Sequence, residues 1–375
     1  MRKKSDSNRV LQWIITVFSL LLGSFMVTLE LGVIDGLWRL NANVVYRLVS
    51  VFYFFYFPWL LYALFGLVDI IVEKKRGSAT KLRYYMGLPL AILFCGVLIS
   101  GVVNRHHLEV EHVVVESSTL PKQFDGKKVV VLADAHLGTL LGNQRHYLES
   151  VVDQVNMLKP DFIFFVGDLV NAYANEASGP NHVLTLMHAM VGKYAVMGNH
   201  DYGDYFPFED AAEYEANLVR MKDMYESCGF HLLCNEGVTI SYDSVNTINI
   251  LGIENWGTGR FPKHGDLQKA YNTVNAAPFN ILLSHDPNSW HPLVLDNDYP
   301  IDLTLSGHTH ASQIKIGEFT PSQFQYPYNS GLYEENGKYL YVTRGIGYVV
   351  MPMRIGKGPE ITEITLKCVD KSPMR

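Results

Sequence analysis

The residues of this chain that could do metal chemistry stand where apolar segments end. The segment I-D-L-T-L at 301–305 runs into S-G-H-T-H, which offers two imidazoles, His308 and His310. Four other apolar segments end in possible ligands, namely Asp134 and His136; Asp168; Asn199, His200 and Asp201; and His285. Imidazole nitrogen with carboxylate and amide oxygen, and without thiolate, suits manganese, iron(II), zinc or cobalt. The pattern therefore predicts divalent transition metal ions.

Each motif alone has an ordinary structural explanation. An Asp or Asn after a strand usually forms a turn or caps a helix, and an isolated histidine such as His285 is more often a satisfied loop residue. The whole set is harder to explain, because a protein interior does not collect so many costly polar groups without partners. Carboxylates in contact also raise one another's pKa, and cations remove that conflict. Asp168, between the two groups of motifs in sequence, is the natural carboxylate to bridge two metals.

The segments that must position these residues alternate between strands and helices. In the first part of the chain after residue 105, the apolar pattern predicts strands at Lys127–Leu132, Asp161–Val166 and Tyr194–Val196. The same part of the chain has predicted helices at Asn143–Leu158, His182–Met190 and Glu209–Cys228. Later strands are predicted at Val238–Tyr242, Asn249–Gly252, Phe279–Leu283, Ile301–Leu305 and Tyr339–Val342. This order predicts an α/β domain with mixed sheets. Ligands of open α/β sheets bind at the carboxyl ends of strands, so the motifs are expected to converge on one rim.

The amino-terminal part has a different composition. Three runs lack Asp, Glu, Lys and Arg, namely Val10–Leu29, Leu48–Val68 and Tyr84–Val103. Each is about as long as the ~20 residues that cross a bilayer as a helix. Buried core helices are the alternative, but three such runs in the first 105 residues are more apolar helix than one core is expected to bury. We therefore predict a membrane region at 1–105 with about three transmembrane helices, followed by a catalytic domain at 106–375.

Flanking charge gives an expected orientation. Basic residues precede the first run and fill the loop between the second and third runs, at Arg2, Lys3, Lys4, Arg9, Lys74, Lys75, Arg76, Lys81 and Arg83. The positive-inside rule puts these clusters in the cytoplasm. Three spans would then carry residues 106–375 to the extracytoplasmic side of a cell (inner) membrane.

Overall charge and cysteine content exclude some functions. The net charge of −6 argues against a strong, sequence-independent interaction with nucleic acid. The four cysteines contain no CxxC pair, which disfavours a disulfide framework or a thiolate zinc site. Whether Cys228 and Cys234 pair is left open at this stage.

The ordered set D-A-H (134–136), G-D (167–168), G-N-H-D (198–201), H (285) and G-H-T-H (307–310) resembles the calcineurin-like metallophosphoesterase family. The resemblance covers roughly residues 125 to 370, and the amino-terminal runs with the tail R-G-I-G-Y…P-M-R…P-E (344–360) are similar to its bacterial membrane-anchored branch. It implies a four-layer α/β/β/α sandwich around two metal ions. The first metal would bind Asp134, His136, Asp168 and His310, and the second Asp168, Asn199, His285 and His308.

The same resemblance implies a reaction. A hydroxide bridging the two metals would attack phosphorus, His200 would assist the leaving group, and Asp201 would orient the His200 imidazole. The expected function is a membrane-anchored dinuclear-metal phosphohydrolase that acts on a phosphodiester or pyrophosphate, including lipid-linked or cell-envelope substrates. Residues that could line its pocket are Asn171, His182, Tyr202, Tyr205, Asn255 and Trp256.

Two other functions are open on the sequence. The soluble domain could be a non-catalytic binding module of a membrane receptor or transporter, although the intact ligand set and the uncharged spans argue against it. A nuclease of the same fold is a further alternative, disfavoured by the acidic charge balance and the membrane region. The substrate and the oligomeric state are not determined by the sequence.

Overall fold

The computed structural model describes residues 13–14, 17–25, 42–78, 80–138, 144–179, 181–257, 261, 263–349 and 351–370. It divides into two compact units. One unit comprises residues 1–103 with 350–355, and the other comprises residues 104–349 with 356–375.

The first unit contains two long helices. Helix α1 is Ala42–Arg76, and helix α2 is Leu88–Asn104, which continues a π-helical turn at Arg83–Gly87. By length and composition, the stretches Val51–Arg76 and Arg83–Asn104 could each cross a membrane. Only 28% and 22% of their most apolar windows are buried, whereas a core helix of a soluble protein would be mostly buried. Of the first predicted span, residues 13–14 and 17–25 are helical and the remainder lies outside the described residues.

The second unit is built on two six-stranded sheets. The strands of the first sheet are β1 Glu109–Ser117, β2 Lys128–Leu132, β3 Phe162–Val166, β4 Gly192–Val196, β5 His231–Leu232 and β14 Glu360–Cys368. Those of the second are β6 Glu236–Ser241, β7 Thr247–Gly252, β8 Phe279–Leu283, β9 Leu303–Ser306, β11 Gly331–Glu335 and β12 Lys338–Val342. The first sheet has the order β1-β14-β2-β3-β4-β5 and the second has the order β11-β12-β9-β8-β7-β6. Two short strands are β10 Ile314–Lys315 and β13 Ile355–Gly356.

Three apolar cores define four layers. One core fills the space between the sheets, with Val129 and Phe164 from the first sheet meeting Ile250 and Ile281 from the second. The opposite face of the first sheet packs on helices α3 Gln144–Leu158, α4 Asn181–Leu184 and α5 Ala211–Ser227. The outer face of the second sheet packs on α6 Leu267–Tyr271 and on the helical segment that contains Trp290 and Val294. The expected α/β/β/α fold is therefore confirmed.

Parallel pairing brings the ligand-bearing strand ends to one side. Strands β2, β3 and β4 are mutually parallel neighbours, and so are β7, β8 and β9. Their residues alternate into two different cores and are almost all buried, which explains why they are continuous apolar runs. The carboxyl ends of β2, β3, β4, β8 and β9 carry the predicted motifs.

The predicted helix at His182–Met190 is wrong. Only Asn181–Leu184 is α-helical, because later carbonyls in this segment accept hydrogen bonds from side chains elsewhere in the fold. The amide of Asn156 donates to the Leu186 carbonyl, and the ammonium of Lys193 donates to the Met187 carbonyl. These tertiary partners replace the backbone N–H groups that a continuing helix would supply.

Candidate metal centre

Several predicted ligands have an unusual backbone conformation. Asp134, His136, Asp168, His308 and His310 have φ of 54°, 43°, 58°, 71° and 50°, in the left-handed region. This region is sparsely populated by residues other than glycine and costs on the order of 1–3 kcal/mol per residue, so it persists only where the surrounding structure enforces it. The fold therefore holds these five side chains in a strained arrangement at the strand ends.

Close backbone contacts between neighbouring loops enforce this arrangement. The N–H of Asp134 donates to the Gly167 carbonyl at 2.9 Å, which joins the loops after β2 and β3. Gly167 has φ of +96°, and a Cβ there would lie 2.6 Å from both the Gly198 nitrogen and His285 Nδ1. A side chain at position 167 would push these loops apart. Glycine is required here by conformation and by space.

The side chains meet in three overlapping groups. Within each group, the ligand atoms all lie within 4.8 Å of one another. These groups are Asp134 with His136 and His310; His136 with Asp168 and His200; and Asp168 with His285 and His308. Asp168 belongs to two groups, with Oδ2 3.0 Å from His285 Nε2 and 3.7 Å from His136 Nε2. His136 Nε2 and His310 Nε2 are 3.1 Å apart, and two ring nitrogens at this distance need a proton or a cation between them. The donor set and its spacing fit bound divalent metal ions.

Charges at the centre favour a cation. Burial opposes protonation of His285, but the adjacent Asp168 carboxylate, together with Asp134 and the Val166 carbonyl, outweighs it and raises the pKa of His285 to about 10. Burial would raise the pKa of Asp168, yet the imidazoles of His285, His200 and His136 hold that pKa well below its usual range. Burial and the neighbouring His285 lower the pKa of His308 to about 3, so its imidazole stays neutral and keeps a lone pair available. The carboxylate at the middle is thus anionic and balanced by positive charge.

Two tyrosines hold the outer ends of two predicted ligands. His308 Nδ1 is 2.8 Å from Asn199 Oδ1, so these two atoms point to the same place. The other nitrogen of the His308 imidazole, Nε2, is 2.9 Å from the Tyr326 hydroxyl. The other polar atom of the Asn199 amide, Nδ2, donates to the Tyr205 hydroxyl at 2.9 Å. Such outer contacts fix which atom of a ligand faces the metal. Tyr326 was not predicted from the sequence, because a tyrosine 18 positions from His308 gives no local signal of its partner.

His200 and Asp201 have different partners from those we expected. The ring Nδ1 of His200 is 2.5 Å from the backbone carbonyl of Asn171, and this carbonyl orients the imidazole. The expectation that Asp201 orients His200 is wrong. The Asp201 carboxylate instead accepts hydrogen bonds from the N–H groups of residues 168, 169, 170 and 198 and from the Tyr225 hydroxyl. Asp201 thereby fixes the turn that carries Asp168.

The predicted pocket residues divide into two sets. Asn171 and Tyr205 lie at the centre, and the Tyr205 ring is 4.5 Å from the His200 ring and 38% exposed. The others have partners of their own: the Tyr202 hydroxyl accepts from the Asn255 N–H, Lys263 lies over the Trp256 ring, and His182 contacts the Gly179 carbonyl. Cys228 and Cys234 are both free thiols.

Comparison with known proteins gives a consistent result. The model of the calcineurin-like phosphoesterase family matches residues 127–312, a range that includes every predicted ligand. The "Uncharacterized metallophosphoesterase YkuE" of Bacillus subtilis is 32% identical over 273 residues, covering 71% of this chain and 87% of that protein.

Two further relatives have informative names. The zebrafish (Danio rerio) "Transmembrane protein with metallophosphoesterase domain" is 33% identical over 74% of this chain, which spans only 62% of that protein's length. The "UDP-2,3-diacylglucosamine pyrophosphatase LpxG" of Chlamydia trachomatis is 28% identical, covering 61% of this chain and 81% of that protein.

Proposed function

Because this chain belongs to the calcineurin-like phosphoesterase family, whose members are metal-dependent phosphoester hydrolases, we propose that it is a membrane-anchored phosphohydrolase with two metal ions. One observation carries the proposal. Ligands from five strand ends, spread from Asp134 to His310, converge in three groups that share His136 and Asp168. Overlapping groups of this kind suit two neighbouring cations better than one, because a single ion cannot take all the donors.

The groups support an assignment of ligands to each ion. Asp134, His136 and His310 would hold the first metal, and His285, His308 and Asn199 would hold the second. Asp168 would bridge them, because its carboxylate lies in one group with His285 and His308 and in another group with His136, a ligand of the first metal. When bound, two such ions supply a Lewis acid for the phosphoryl oxygens and lower the pKa of a nucleophilic water.

His200 is the proposed catalytic side chain. Its Nδ1 is held by the Asn171 carbonyl, so Nε2 is the nitrogen left to face a substrate. An imidazole in this position can donate a proton to the departing alkoxide or neutralise its charge. Asp201 acts on the opposite side of the turn, where it holds the backbone of Asp168 and does not touch the reacting atoms.

We expect the substrate to be a phosphodiester or pyrophosphate carried by a lipid or by a cell-envelope component. Two apolar helices that could cross a membrane support the association with a lipid surface. The chlamydial relative, named as a pyrophosphatase of a diacylated sugar nucleotide, supports a substrate with acyl chains. The proposed topology keeps residues 1–105 as a multi-pass membrane region and puts the catalytic domain, 106–375, on the extracytoplasmic side. A reporter fused after residue 375 tests this orientation.

Metal content and hydrolysis test the proposal directly. Purified full-length chain in detergent should contain about two transition metal ions per molecule. It should also hydrolyse bis-p-nitrophenyl phosphate, and chelation should abolish the activity until manganese, zinc, iron(II) or cobalt is returned. A chain that binds metal but hydrolyses neither this probe nor lipid phosphodiesters is a non-catalytic binding module. A chain that binds no metal contradicts the whole proposal.

A further inference from the structure

A loop at residues 314–326 carries exposed apolar side chains beside the metal centre. Ile316 and Phe319 face each other across a tight turn, with hydrogen bonds in both directions between their backbones. Ile316 is 59% exposed, Phe319 is 48% exposed and Phe324 is 82% exposed. Three large, exposed apolar side chains thus lie within nine residues, and exposed apolar side chains that cluster in this way mark interaction sites.

The loop is tied to the metal centre at both ends. It begins four residues after His310, and it returns at Tyr326, whose hydroxyl is 2.9 Å from His308 Nε2. In between, the Thr320 hydroxyl donates to the Ala311 carbonyl at 2.6 Å, which fixes the base of the loop. The apolar tip therefore has a defined position relative to the two histidines.

The loop is also tied to the residue that ends the second candidate span. That span is Arg83–Asn104. The side-chain amide of Asn104 donates to the Gly356 carbonyl at 3.0 Å, and the next residue, Lys357, donates its N–H to the Lys315 carbonyl at 3.1 Å. Two hydrogen bonds thus connect Asn104, the first residue of the second unit, to the strand that leads into the apolar tip.

We propose that the apolar tip of this loop, Ile316, Phe319 and Phe324, inserts into the interface of the same bilayer that holds the amino-terminal helices. The proposal rests on the membrane anchorage proposed above. Insertion is interfacial, because the turn also carries Glu318, an exposed acidic residue that must stay among the hydrated headgroups. The loop would then hold the metal centre at the headgroup layer, where the phosphoester of a lipid-borne substrate lies.

Spin labels on the full-length chain test the insertion independently of catalysis. After the native cysteines are replaced, a nitroxide is attached at Phe319→Cys or Phe324→Cys, and the chain is reconstituted in phosphatidylcholine–phosphatidylglycerol vesicles. Met190→Cys is the matched control, because Met190 is 81% exposed and apolar but has no connection to Asn104. Labels at 319 and 324 should be more accessible to oxygen than to a water-soluble nickel complex present on both sides of the bilayer, and the label at 190 should show the reverse. Equal nickel accessibility at the three positions overturns the proposal.

A pair of probes tests the consequence for activity. The triple variant Ile316→Ser, Phe319→Ser and Phe324→Ser should hydrolyse soluble bis-p-nitrophenyl phosphate at the wild-type rate. Against phosphatidyl-p-nitrophenol in vesicles, its kcat/KM should fall at least roughly tenfold, since each apolar side chain withdrawn from the interface removes a sizeable part of the burial energy. Met190→Ser should leave both rates unchanged. A triple variant that loses both activities equally, or neither, contradicts the role of the tip, whereas a wild-type chain inactive on both probes contradicts the proposed function instead.

Discussion

Replacing Tyr326 by phenylalanine removes one hydroxyl and leaves the ring in place, which isolates its contact with His308. The hydroxyl is 2.9 Å from His308 Nε2, and the Tyr326 side chain is only 9% exposed. Without it, the imidazole N–H loses an acceptor that water cannot easily replace. A buried donor left unsatisfied costs about 1–3 kcal/mol, and removing an outer partner of a metal ligand typically weakens the metal by about 10–100-fold. These two scales agree, because a tenfold change corresponds to about 1.4 kcal/mol.

We therefore expect Tyr326→Phe to weaken one of the two metals by about 10–100-fold and to leave the other within roughly threefold. Competition with a chelator, followed for each metal, measures this difference. Tyr205→Phe should have a smaller effect on the same metal, because Tyr205 is 38% exposed and water can bind the Asn199 amide in its place. Tyr328→Phe is the control, since the Tyr328 hydroxyl donates to Glu335 at the end of β11 without touching a ligand.

Two results would refute this reasoning. If Tyr326→Phe binds both metals as the wild type does, the hydroxyl does not position His308. If both metals weaken equally and the melting temperature falls with them, the hydroxyl supports the packing of the loop and not one ligand.

Three further predictions address the bridge, the acid and the stability of the domain. Asp168→Asn should weaken both metals and abolish hydrolysis, and retention of both metals would contradict the bridging role. His200→Ala should keep the metals yet lower turnover by about 10²–10⁴-fold, most for substrates with poor leaving groups; an equal loss for all leaving groups would contradict a role in protonation. Arg344→Met should destabilise the fold by about 3–5 kcal/mol, because Arg344 and Glu360 form a 2.7 Å ion pair with side chains only 6% and 0% exposed. Lys367→Met removes an exposed pair and should cost at most about 1 kcal/mol, so equal melting shifts of the two variants would contradict the importance of burial.

The strands that carry the ligands were predictable because they are buried on both faces. Residues 279–283, F-N-I-L-L, are all buried, and their predicted bounds agree with those observed. Strands β1 and β14 were missed, although they are the longest in the fold at nine residues each. Their sequences mix glutamate and threonine with apolar residues, and acidic side chains of β1 are neutralised by Arg344, whose guanidinium reaches Glu109 and Glu111 from more than 230 positions away. No pattern in the sequence around β1 indicates that Arg344 is the partner of its acidic side chains.

The role of Asp201 was misjudged for a related reason. The family resemblance of the G-N-H-D motif implied that the carboxylate orients the neighbouring imidazole of His200. In a tight turn, however, adjacent side chains point in different directions, and the carboxylate of Asp201 instead binds four backbone N–H groups. Burial and the charge of Asp168 raise the pKa of Asp201 to about 6 despite these bonds. The direction of the backbone in the turn decides which groups Asp201 contacts, and the spacing of residues in the sequence does not give that direction.

The turn after β9 shows how backbone conformation can separate two histidines that are two positions apart in the sequence. His308 has φ of 71° and Thr309 has φ of −81°, after which residues 310–313 all return to the left-handed region. This reversal gives the two imidazoles different neighbours: His308 meets Asp168 and His285, whereas His310 meets Asp134 and His136. Four consecutive left-handed residues cost on the order of 1–2 kcal/mol each, so external contacts must hold them. The Thr320 hydroxyl on the Ala311 carbonyl is one such contact, and it belongs to the loop with the apolar tip. The geometry of the histidines and the position of the tip therefore depend on the same short segment.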